Sequence, residues 1–98
     1  MDDPGAHHES GGARDVPAMF TDGRLKTIPR RTARRAQLLE HLARTLFDPG
    51  RGYTEREVNE ALANVHDDYP ALRRYLVEAG LLTRTRDGSE YRRTSTTP

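Results

Sequence analysis

The 98-residue sequence contains no cysteine and no tryptophan, only two phenylalanines, and no apolar run near the ~20 residues that span a bilayer. Without cysteine there is no disulfide, no thiolate-held zinc and no cysteine nucleophile. Small secreted domains usually depend on such staples, so a cytoplasmic setting is expected, with no membrane association. The N-terminus also lacks the apolar core of a signal peptide. Nor do the remaining nucleophiles assemble a site: Ser10, Ser89 and Ser95 fall at the chain's ends and in a hairpin. No phosphate loop or dinucleotide fingerprint is present. The expectation is a non-enzymatic chain with no cofactor and no metal.

What the chain does have is charge, sorted by position. Sixteen Lys and Arg against fifteen Asp and Glu leave a formal net charge of only +1. Yet Arg24, Lys26, Arg30, Arg31, Arg34, Arg35 and Arg44 face only Asp22 and Glu40 in their stretch. Near the C-terminus, Arg84, Arg86, Arg92 and Arg93 face Asp87 and Glu90. Sorting of this kind points to one basic face rather than a mixed surface.

Residues 1–18 are mostly Asp, Gly, His and other residues with little to bury, so they read as a disordered leader. Residues 94–98 read as a frayed tail, which leaves one domain over residues 19–93. Within it, Met19-Phe20, Asp22-Gly23 and Leu25-Ile28 read as strand–turn–strand, or as a turn with one short strand. Leu39, Leu42, Ala43 and Leu46 make one helical stripe in a first helix from about Thr32 to Phe47, ended by Asp48-Pro49-Gly50. Thr54 and Glu57 form a capping box, with Tyr53 and Val58 as its hydrophobic staple, opening a second helix striped by Val58, Ala61, Leu62 and Val65. A third helix begins near Asp68, tolerates Pro70 in its first turn and points Leu72, Leu76 and Ala79 inward. Gly80 is placed for a Schellman stop.

Asp87-Gly88 then joins two strands in a two-residue hairpin, with Arg84 opposite Tyr91 and able to stack on its ring. The fold class is α+β and winged helix-turn-helix-like: three helices, a C-terminal β-hairpin and a short N-terminal strand.

The phrases Asp22-Gly23-Arg24-Leu25-Lys26-Thr27-Ile28-Pro29, Tyr53-Thr54-Glu55-Arg56-Glu57-Val58-Asn59, His66-Asp67-Asp68-Tyr69, Leu72-Arg73-Arg74 and Gly80-Leu81-Leu82 occur in that order. Together they resemble the bacterial family catalogued as domain of unknown function 2087, over about Phe20 to Arg93. Members of that family include small stand-alone proteins and domains attached to helix-turn-helix transcription regulators. The resemblance therefore implies a regulatory context. It supplies no catalytic residues to carry over.

In such a fold the third helix approaches the major groove, and arginines around it displace counterions from phosphates. The candidate double-stranded DNA contacts are Arg73 and Arg74 on that helix, Arg84 and Arg86 on the hairpin, and Arg30, Arg31, Arg34 and Arg35 at the first helix. Against this stand Asp67 and Asp68, acids at the helix start whose ordinary role is capping. His66-Asp67-Asp68 reads poorly as a metal cluster, because three adjacent residues do not converge easily on one ion. His41 reads as a surface residue. The alternative function is a protein-contact winged helix, an adaptor or homodimer. It would use an exposed apolar patch at Tyr75 and Val77, with Arg73 and Arg74 paired to carboxylates.

Overall fold

A computed structural model describes residues 16–94 of the chain. The expected leader and tail therefore fall largely outside the described residues. The leader's inner edge needs correction, because Val16 is 4% exposed and lies in the core with Met19. A single valine in a polar stretch carries no periodicity, so nothing in the sequence marks it for burial.

Strands β1 (Phe20–Thr21) and β2 (Arg24–Leu25) pair antiparallel, Phe20 opposite Leu25. Asp22 and Gly23 between them both take left-handed backbone, φ 53° and 81°, as a two-residue hairpin loop of this kind requires. Buried Leu25 anchors the hairpin, and its N–H donates to Val65 O at 2.8 Å.

Helix α1 (Thr32–Leu46) buries Leu38, Leu39, Leu42 and Ala43. The stripe is turned slightly from the expected one, leaving Leu46 half-buried. After it, Gly52–Tyr53 forms β3, a strand the sequence does not announce. Two residues are too short for any alternation, and the partner lies far along the chain. Helix α2 (Glu55–Ala63) starts on the expected capping box: Glu57 N–H donates to Thr54 Oγ1 at 3.0 Å, and Thr54 N–H to Glu57 Oε1 at 2.9 Å. Helix α3 (Tyr69–Glu78) starts on Asp68, whose carboxylate accepts from Ala71 N–H at 3.4 Å. It ends in the Schellman motif, with Gly80 at φ 78° and Leu81 N–H bonded to Leu76 O. Ala79, expected inward, is the exposed C-cap residue instead, while Ala71 is buried.

Strands β4 (Leu82–Arg84) and β5 (Tyr91–Arg93) form the hairpin in the expected register, Arg84 opposite Tyr91. The sheet order is β3–β5–β4, with Tyr53 opposite Tyr91. Helix–strand–helix–helix–strand–strand is the winged helix-turn-helix arrangement, and the α+β class holds. Val58, Leu62, Leu72 and Leu76 are fully buried between the helices, and Leu82 and Tyr91 seal the wing onto them. At roughly 1.5–3 kcal/mol for each fully buried large apolar side chain, this seam outweighs any surface ion pair in fixing the wing's place.

Candidate nucleic-acid interface

The wing is built from its tip inward. Thr85 and Glu90 close the ladder through Thr85 N–H to Glu90 O at 2.9 Å, and Gly88 N–H returns to Thr85 O at 2.9 Å. Gly88 takes φ 76° while Asp87 does not leave negative φ, so the tip is a four-residue turn rather than the expected two-residue one. Asp87 organises it. Its Oδ1 accepts from Ser89 N–H at 3.0 Å, Ser89 Oγ at 2.8 Å and Thr85 Oγ1 at 2.8 Å. These donors, led by the Ser89 amide, hold the Asp87 carboxyl down at about 2.

The two arginines of the β4 arm concentrate at this tip. Arg84 does not stack on Tyr91 as expected. The Tyr91 ring is 1% exposed and closed into the core, while the Arg84 guanidinium lies over Gly88. A Cβ added at Gly88 would stand 3.2 Å from Arg84 Nη2. Among the described residues, neither Arg84 nor Arg86 has a carboxylate within ion-pair distance.

Beneath the wing, the Tyr91 hydroxyl donates to Glu55 Oε1 at 3.0 Å, joining β5 to the start of α2. Burial, then that bond and the Glu55 charge, raise the Tyr91 phenol above its ordinary range, and the charges of Arg73 and Arg84 oppose the rise. Arg73 itself is half-buried and spans to α2, donating to Asn59 Oδ1.

On the other side of α3, the Arg35 guanidinium sits 4.5 Å above the Tyr75 ring, and Arg74 stands 5.4 Å from the same ring. Arg35 also donates to Arg30 O at 3.2 Å. Arg74 is exposed and lies 4.0 Å from Glu78 one turn on, a weak surface pair. Arg31 is the N-cap residue of α1 without a side-chain cap, and Arg30, Arg31 and Arg34 are exposed around that helix start. The eight sequence-selected arginines therefore divide. Arg73 and Arg35 are interhelical braces, whereas Arg74, Arg84, Arg86, Arg30 and Arg31 present charge to solvent, and Arg34 is exposed beside them.

Other arginines of the basic stretches are committed internally. Arg92 Nε bonds Glu90 Oε2 at 2.6 Å and its Nη1 bonds Gly50 O; Arg93 Nη1 reaches Phe47 O at 3.2 Å. Arg24 holds Asp67 at 2.7 Å. Their roles depend on contacts between segments distant in sequence, so composition alone could not separate them from the solvent-facing group.

The acids that count against DNA are also engaged. Asp67 answers Arg24, Asp68 caps α3, and His66 Nδ1 accepts from Asp68 N–H at 2.9 Å. Among the described residues no three His, Cys, Asp or Glu come together as metal ligands. His41 is half-buried, 5.8 Å from the Phe20 ring, and burial followed by the Arg44 charge pushes its imidazole down from the ordinary range. Among the described residues, no helix is long and apolar enough to cross a membrane.

No curated protein and no solved structure matches the chain. A family model described as an uncharacterized protein conserved in bacteria, domain of unknown function 2087, matches residues 24–93, from Arg24 in β2 to Arg93 in the last strand of the wing. The chain belongs to that family.

Proposed function

We propose that this chain is a non-enzymatic winged-helix module that binds double-stranded DNA in transcription regulation and works in the cytoplasm. The observation that carries the reading is the placement of cations on both flanks of α3. Arg84 and Arg86 stand at the wing tip on one side, and Arg35 and Arg74 meet at the Tyr75 ring on the α1 side. A helix framed in this way, with a wing beside it, suits a duplex, because phosphates run along both rims of a groove.

The protein-contact reading has less to rest on. Tyr75 and Val77 are partly buried against the core, and two guanidinium groups cover the Tyr75 ring. Arg73 engages an amide rather than a carboxylate.

Selection of bound sequences from random duplex DNA at two salt concentrations tests the proposal. Affinity should fall by about 0.9 log units per log unit of salt for each phosphate contacted. Absence of binding at low salt refutes it.

A further inference from the structure

Within the DNA-binding reading, on which this rests, we infer that the wing rather than α3 makes the discriminating contact. Its partner is the minor groove of A·T-rich duplex.

Helix-turn-helix proteins read base edges mainly from the leading turn of the recognition helix. Here that turn offers no cationic side chain to read with. Asp68 spends its carboxylate on Ala71 N–H, Tyr69 is packed against the core, Pro70 has no amide donor, and Ala71 is buried. Asp67, just before it, is held by Arg24. One turn further, Arg73 is tied to Asn59. Arg74 remains, and Glu78 beside it offsets its charge toward a phosphate or a base acceptor. A bidentate arginine is the commonest reader of guanine in the major groove, and α3 offers one at most.

The wing tip has the opposite character. Arg84 and Arg86 carry no carboxylate partner among the described residues, and both project from a turn closed by Asp87, Thr85 and Ser89. The acids of the wing are occupied, Asp87 by those three donors and Glu90 by Arg92. Gly88 gives Arg84 the room to lie at the tip. A preformed loop needs little backbone ordering on binding, which leaves only the two arginine side chains to be fixed.

With α3 against the major groove, the wing beside it falls on the neighbouring phosphates and the minor groove between them. That groove is about 6 Å wide, which excludes a two-stranded ribbon but admits a guanidinium. A-tracts narrow it further and deepen its negative potential, so an inserted arginine prefers A·T over G·C.

The test uses the full chain and fluorescence anisotropy with two short duplexes, one with an A·T-rich centre and one with a G·C-rich centre, at low salt. The A·T duplex should bind tighter by roughly tenfold. Netropsin, which fills the A·T minor groove, should displace the protein. The double variant Arg84→Ala/Arg86→Ala should lose the preference, whereas Arg74→Ala should weaken both duplexes alike and keep it. Thermal unfolding of each variant verifies that these exposed substitutions leave the domain folded. Equal binding to both duplexes, indifference to netropsin, or a preference that survives the double variant overturns the wing assignment alone. No binding to either duplex overturns the DNA reading together with it.

Discussion

Arg24 and Asp67 join the N-terminal hairpin to the turn between α2 and α3. Nη2 lies 2.7 Å from the carboxylate, and Nη1 of the same guanidinium donates to Ala63 O at 3.0 Å and Asn64 O at 3.3 Å. One side chain thereby satisfies carbonyls at the end of α2 and neutralises an acid beside α3. This strap connects parts of the chain that the sequence presents as a basic stretch and an acidic helix start.

The two halves of the strap should not be equal. Asp67 is 98% exposed in its side chain, so the ion pair is worth at most about 1 kcal/mol. Arg24→Ala also frees two helix-end carbonyls and should cost about 1–2 kcal/mol. Urea unfolding of Arg24→Ala and Asp67→Asn gives the comparison. Equal losses would mean that the carbonyl contacts contribute nothing.

Tyr91 should show its part-buried bond to Glu55 in both stability and titration. Tyr91→Phe removes only the hydroxyl and should cost about 0.5–1.5 kcal/mol. Tyr91→Ala empties a fully packed site and should cost about 3–5 kcal/mol. Subtracting the ultraviolet titration of Tyr91→Phe from that of the native chain isolates this phenol. Its midpoint should lie above the ordinary tyrosine value, as burial and the Glu55 carboxylate dictate. A midpoint at the ordinary value contradicts the hydrogen bond to Glu55.

The wing turn should resist acid further than an ordinary carboxylate would allow. The Asp87 pKa is lowered from 3.8 to about 2, so its ionised form is favoured in the folded turn. The associated stability is fully present above the ordinary value and is lost as pH falls through about 2. The Ser89 amide proton, bonded to this carboxylate, should report that midpoint by nuclear magnetic resonance. A midpoint near 4 would show that the three donors do not hold the carboxylate.

Local rules written in adjacent residues determined much of this protein by themselves. The capping box at Thr54 and Glu57, the Schellman stop at Gly80, the Asp22-Gly23 turn and the pairing of Arg84 with Tyr91 all follow from interactions over a few positions. Helical stripes placed the core to within one rotation step, because a 3.6-residue period is read from neighbouring residues.

Only the tertiary structure decided which arginines face solvent. Arg73 and Arg35 look like Arg74 and Arg84 in the sequence, and they become braces because Asn59 and Tyr75 come to lie beside them. Likewise β3 exists because Tyr91 runs past Tyr53, and Val16 is buried because the core reaches beyond the first hairpin. Burial and pairing between distant segments depend on chain geometry in space, and a periodicity along the chain does not encode it.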